Sequence, residues 1–196
     1  MREHLRLKPM DHVFVIRGLA HQSHEGVRVL LCEPLLEQLD LLSDEITRRN
    51  EHLEEMVKEL PEVEHLREIP GIGPVVATYF VLTIDDPQRF KNSRDVASFF
   101  GLRPSMRESA SVSHYGRITK EGDPDMRRLL VQAAHACLLT KADSELKSWA
   151  LALAERKGKG KAAVALARKL AVLMHHLWVT GEVYQAFPNK EANQAA

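Results

Sequence analysis

The 196-residue chain lacks net charge, because 27 Lys and Arg are matched by 27 Asp and Glu. That balance excludes a uniformly basic nucleic-acid binder and leaves open a polarised one. Cysteine is scarce. Cys32 and Cys137 cannot make a disulfide framework, and they read as reduced thiols of a cytoplasmic protein. No apolar run approaches the roughly 20 residues of a membrane span. The opening stretch, MREHLRLKPMDH, has neither the apolar core nor the cleavage site of a secretory leader. There is no HExxH, Walker loop, dinucleotide fingerprint or CxxC pair. What the chain does have is 44% hydrophobic and 28% charged residues, the composition of a globular protein with a real core and of one ordinary domain or one domain plus an extension.

The neutral total comes apart by position. Residues 33–68 hold twelve acids and four bases, residues 87–130 nine bases and five acids, and residues 156–169 six bases and no acid. Such asymmetry marks either a polyanion-binding face or solvated helix faces that differ in sign. Up to residue 30 the pattern is mixed, with Gly18 and Gly26 interrupting it. From Glu33, the residues Leu35, Leu36, Leu39, Leu42, Ile46, Leu53, Met56, Val57 and Leu60 recur at spacings of three and four with charges between them. This predicts an amphipathic helix over 33–60 that stops at Pro61. It serves as a dimerising coiled-coil arm or as one helix of a bundle. Further helices are expected over 62–69, 74–83, 93–100 (Ser93 as N-cap, Gly101 beyond the end), 124–140 (Asp123-Pro124 at its start), 144–155 and 162–179. Residues 102–121 show no period and read as a long loop with at most a short extended pair. With strand signals almost absent, the fold class is all-α, a helical bundle with a long N-terminal amphipathic arm. The polar tail after Pro188 reads as disordered.

Two segments stand out. The first is Leu66-Arg67-Glu68-Ile69-Pro70-Gly71-Ile72-Gly73, a proline-glycine turn between two helices. It is similar to the helix-hairpin-helix of DNA-binding proteins. Gly71 and Gly73 would permit positive φ and a close approach of the backbone to a phosphate. The N–H groups at the start of the next helix would meet that phosphate. A plain tight turn between core helices has the same residues. The second segment, Gly101 to Lys120, combines hydroxyl groups with Arg103, Arg107, Arg117 and Lys120. A serine attacking a phosphodiester needs such cations at the charged transition state, although a solvated loop can have this composition too. The remaining candidates are structural. Asp85-Asp86 before Pro87 suits a turn and helix cap, and His175-His176, adjacent on a helix, cannot share one metal.

Taken in order, three blocks resemble the C-terminal part of bacterial transposases of the family named after insertion sequences 110, 116 and 902. They are Ile69-Pro70-Gly71-Ile72-Gly73-Pro74; Phe99-Phe100-Gly101-Leu102-Arg103-Pro104 with Gly116-Arg117-Ile118-Thr119-Lys120-Glu121-Gly122-Asp123 and Met126-Arg127-Arg128-Leu129-Leu130; and Lys161 to Leu170 with Gly181-Glu182-Val183-Tyr184. The resemblance covers residues 66–187. It implies a serine-bearing recombinase domain, preceded by a helical linker and an RNase-H-like domain whose acidic tetrad binds metal. It further implies DNA as partner and, in some members, a structured guide RNA. By register the family serine falls on Ser109. Where the family carries Ser-Ser-Gly, this chain carries Glu108-Ser109-Ala110, so Ser111 stays the alternative.

The expectations are therefore a helical arm at 1–65, a transposase C-terminal domain with a helix-hairpin-helix at 66–187, and a tail at 188–196. Ser109, Arg103, Arg107 and Arg117 would act at the phosphodiester. Pro70, Gly71, Gly73, Lys120, Arg127, Arg128, Lys159, Lys161, Arg168 and Lys169 would bind DNA. The arm would form a homo-oligomer. The chain itself would hold no metal, Mg²⁺ entering only with an acidic domain for which it has no residues, so it reads as a fragment inactive alone. A non-catalytic nucleic-acid-binding module and a degenerate remnant that only oligomerises are the other two readings.

Overall fold

The computed structural model describes the backbone of residues 25–109 and 112–187. The side chains of 25–32, 107–109 and 112–115 lie outside the described set, as do Ala110 and Ser111 altogether and the tail at 188–196. The chain forms two compact units, Met1–Glu55 and Met56–Ala196.

The first unit contains most of α1 (Glu25–Val57), which is longer than the expected 33–60 at its start and shorter at its end. Gly26 and Pro34 look like breaks in the sequence. The helix nevertheless runs through Pro34 and forgoes one i→i−4 bond there. Part of its apolar stripe is exposed. Leu35 and Leu42 are 60% exposed and Ile46 59%. Exposed i,i+3 and i,i+4 pairs of Glu45 with Arg48 and Arg49 support the polar side.

The second unit is a helical bundle around one core helix. Its elements are α2 (Pro61–Arg67), α3 (Pro74–Ile84), a 3₁₀ turn at Pro87–Arg89, α4 (Ser93–Phe99), β1 (Pro104–Ser109), β2 (Val112–Ile118), α5 (Pro124–Leu139), α6 (Glu145–Lys157) and α7 (Lys159–Thr180). The helix starts are chemically marked. Asp123 accepts from the N–H groups of Asp125 and Met126, and Ser144 from that of Lys147. The Met126 N–H holds the Asp123 carboxyl below the usual carboxylate range, and the Tyr79 hydroxyl, donating to its other oxygen at 3.1 Å, adds to that. The α4 cap departs from expectation. Asn92 is the N-cap, accepting from Arg94 N–H. Ser93 sits one position inside and turns its hydroxyl to the core.

That core is built on α7, where Ala162, Ala163, Leu166, Ala167, Leu170, Ala171, Met174, His175 and Leu177 are buried. Helices α2, α4, α5 and α6 pack around it. Among the described residues α7 alone has the length and hydropathy of a membrane-crossing helix. Its buried face is that of a core helix, and it carries Lys159, Lys161, Arg168 and Lys169. His175 is 1% exposed and fully engaged, with Nδ1 3.0 Å from Ser93 Oγ and Nε2 2.9 Å from the Pro87 carbonyl. It is structural, as its sequence context implied, and it ties the 3₁₀ turn and α4 to α7. Helix α2 packs on α3 and α7, within the compact unit that starts at Met56.

Residues 102–121, expected as a loop with at most a short extended pair, form an antiparallel hairpin. The ladder pairs Pro104 with Ile118, slips by one residue, and continues from Met106–Tyr115 to Ser109–Val112. The extra residue lies on β2 at Gly116-Arg117, a bulge that redirects the strand at its base.

Candidate nucleic-acid interface

The base of the hairpin is fixed by two glycines that face each other's backbone. Gly101 (φ +67°) lies so close to Glu121 that a Cβ would overlap the Glu121 carbonyl oxygen, and Gly122 (φ +95°) relates in the same way to the Phe99 carbonyl. Across this crossing Lys120 N–H donates to Gly101 O at 3.0 Å and Thr119 N–H to Arg103 O at 2.9 Å. Arg127 ties it to α5, donating to the Phe100 carbonyl at 3.0 Å and to its own turn at Asp123 O at 3.4 Å. Lys120 itself has φ +60°, a conformation that costs a non-glycine residue of order 1 kcal/mol or more. The crossing over-determines its backbone, and its side chain is delivered into a cleft.

That cleft has a volume of about 1290 Å³ and lies between β2, α6 and α7, with the first residues of α4 at its edge. Arg94, Arg117, Lys120, Lys161, Arg168 and Lys169 line it, and no Asp or Glu does. Among the described residues, none of these six cations has an acid within salt-bridge distance. Below the charges the wall is apolar, formed by Leu102, Ile118, Leu146, Trp149, Val164 and Leu173. The Lys169 ammonium stands 4.1 Å from the centre of the Trp149 ring, a cation–π pair. The two basic blocks of the sequence therefore converge here. Arg94, Arg117 and Lys120 come from the first, and Lys161, Arg168 and Lys169 from the second.

The other expected residues are placed differently. Arg103 is exposed at the foot of β1. Arg128 pairs with Asp125 at 3.2 Å on the surface of α5. Arg127 is half-buried and holds carbonyls, as described above. Lys159 is exposed at the start of α7. Ser109 closes the ladder at the far end of β1, opposite Val112. At about 3.3 Å per residue, that is roughly 17 Å along the ribbon from the pair Pro104–Ile118, beside which Arg103 and Arg117 lie. Arg107, paired with His114, is two positions from Ser109. The side chains of Ser109 and Arg107, and all of Ser111, are outside the described residues.

At the turn between α2 and α3 the two glycines separate. Gly71 has φ +90°, and a Cβ there would press on Ala133 O and on Cys137 of α5, so this glycine seats the turn on the core. Burial in this same contact region pushes the Cys137 thiol up. Gly73, expected at positive φ, has φ −96°, and a Cβ there would meet nothing within 4 Å. Pro74 occupies the first position of α3. Pro70 is half-buried in the turn. Among the described residues no three His, Cys, Asp or Glu side chains come together.

Residues 63–149 match the model of the transposase IS116/IS110/IS902 family. The chain carries a transposase domain of this family. Named relatives are similar over more than half of it. A Sinorhizobium fredii protein named as a transposase is 37% identical over 62% of this chain and 32% of its own length. The transposase for insertion sequence element IS1111A of Coxiella burnetii is 32% identical over 81% of this chain and 43% of its own. A probable family 20 transposase of Pseudomonas aeruginosa is 29% identical over 74% and 43%. The alignments thus cover less than half the length of each of these relatives. Trp149, which closes the matched stretch, was not singled out by the sequence. The one signal for it was an aromatic residue one helix ahead of the most basic block.

Proposed function

We propose that this transposase domain works on DNA, that its basic cleft binds the phosphate backbone, and that Ser109 is the nucleophile. The observation that carries the reading is the cleft, where six cations from three chain segments meet without an acid among them. Phosphate contacts of this kind hold and orient a nucleic acid without reading its sequence. In the chemical step Ser109 Oγ bonds to phosphorus as one P–O bond to sugar breaks. The serine proton passes to the released sugar oxygen, directly or through solvent. Arg107 neighbours that serine on β1, while Arg103 and Arg117 engage the backbone nearer the cleft. The same separation along the hairpin favours a second reading, a binding module in which the cleft functions and Ser109 does not. A DNA-acting role places the protein in the cytoplasm of a bacterium, and a structured guide RNA would use the same phosphate contacts.

Binding is tested by its salt dependence. With six cations engaged, log Kd against log salt should have a slope of roughly five for duplex DNA. Lys161→Glu with Arg168→Glu should reduce that slope by about two and weaken binding at low salt by more than tenfold. Gly73→Val probes the turn. Its φ and open surroundings admit a side chain without strain, so unchanged melting with weaker binding places a phosphate there. Affinity that is indifferent to salt would remove the electrostatic basis of the proposal.

The arm is the proposed oligomer contact. Leu35, Leu39, Leu42, Ile46, Leu53 and Met56 follow a heptad, broken only where Arg49 takes a core position. Leu39→Asp with Ile46→Asp should convert the oligomer to monomer in sedimentation while leaving the melting of the bundle unchanged. A wild-type chain that sediments as a monomer at micromolar concentration would remove the contact.

A further inference from the structure

We infer that the cleft takes an unpaired DNA strand, one of whose bases stacks on Trp149 in the place where the Lys169 ammonium now stands. The inference rests on the nucleic-acid reading above and narrows it. Duplex DNA presents phosphates and groove edges, and the flat faces of its bases are hidden within the stack. A cleft built for duplex alone gains nothing from an apolar wall. Here the wall is apolar and the rim cationic, the arrangement by which proteins hold single strands: charges follow the backbone and an aromatic face receives a base. Lys169 sits where both functions meet. Its ammonium covers the indole at 4.1 Å, so an arriving base displaces it, and the freed charge lies beside the phosphate of the same nucleotide. The volume of about 1290 Å³ exceeds the roughly 300–1,000 Å³ that encloses a drug-sized ligand, and so suits a short run of nucleotides. An acidic amphipathic helix, such as residues 33–60 of a second copy, complements the charge but carries no Phe, Tyr or Trp to stack on Trp149.

The chain contains two tryptophans, so in a Trp178→Phe background its fluorescence reports Trp149. This protein is titrated with oligo-dT, oligo-rU of equal length, a duplex with the same number of phosphates, and a peptide of residues 33–60. Oligo-dT should bind tighter than the duplex and quench Trp149. Trp149→Ala should weaken oligo-dT about tenfold or more while changing duplex binding by less than about twofold, and Trp149→Phe should restore most of the loss. Lys169→Ala should keep the quenching and lower the salt slope by about one. Duplex binding as tight as oligo-dT, no quenching, or equal loss for both ligands in Trp149→Ala overturns the inference and leaves salt-dependent nucleic-acid binding standing. Tighter binding of oligo-rU overturns the assignment to DNA. Binding of the peptide with none of any nucleic acid overturns this inference and the reading beneath it together.

Discussion

Gly122→Ala should lower the melting temperature of the bundle by on the order of 10 °C, and Gly101→Ala should do the same. At φ +95° and +67° a side chain is strained whatever the space, and here there is no space. The added carbon would overlap a main-chain carbonyl oxygen, of Phe99 in one case and Glu121 in the other. A backbone atom cannot swing aside as a side chain can, so the crossing itself must open. Opening it releases the Lys120–Gly101 and Thr119–Arg103 hydrogen bonds and exposes the carbonyls that Arg127 holds. A cost of roughly 3 kcal/mol is among the larger single-residue effects, and for a unit of this size it corresponds to about 10 °C. The two substitutions damage one feature, so their effects should be sub-additive. Gly73→Ala and Gly160→Ala, whose added carbons meet nothing, are the controls and should melt within about 1–2 °C of the parent. A Gly122→Ala protein that melts with the controls would mean that the hairpin base is loosely held, and Lys120 and Arg117 would then not be preorganised.

This crossing is also the clearest case of what the sequence could not disclose. Helices α5 and α7 were legible because each repeats its apolar residues at helical spacing, α3 because it is apolar throughout, and α4 and α5 because chemical markers such as Gly101 and Asp123-Pro124 bound them. The hairpin has no such signal. Its strands carry no alternation of apolar and polar residues, and what fixes its base is the absence of two side chains. Gly101 read as a helix terminator, which it is, but its contact with Glu121 is twenty residues away in sequence. The cleft was half-legible for a related reason. Composition exposed two basic blocks, but only packing α6 and α7 beside β2 brings them to one place with Trp149 between them. Conversely, residues such as Arg127 looked equally suited to phosphate. The fold spends that guanidinium on the Phe100 carbonyl, and no pattern in the chain distinguishes it from Arg117.

Ser109→Ala should abolish strand cleavage and the covalent protein–DNA adduct, by on the order of a thousandfold or more, while leaving DNA binding within a few-fold. The assay requires a recombining protein, for which the matched region can replace its counterpart in the longer Coxiella burnetii relative. Such a loss follows from the role. A nucleophile has no substitute, and a serine hydroxyl, weak at its ordinary pKa, depends on surrounding cations. Binding is spared because the cleft cations lie near the foot of the hairpin and Ser109 closes its ladder. The same geometry makes the arginines separable. Arg117→Ala, at the bulge, should weaken binding and flatten the salt slope with a smaller effect on cleavage at saturating DNA. Arg107→Ala, two positions from Ser109, should slow cleavage with binding nearly intact, because it would act on charge that develops only in the transition state. Ser111→Ala should do little. An adduct that survives Ser109→Ala and vanishes in Ser111→Ala would move the nucleophile into the turn. Indifference to both would mean that the Glu108 and Ala110 departures mark a hairpin without its chemistry, and the basic cleft would be the functional remainder of the domain.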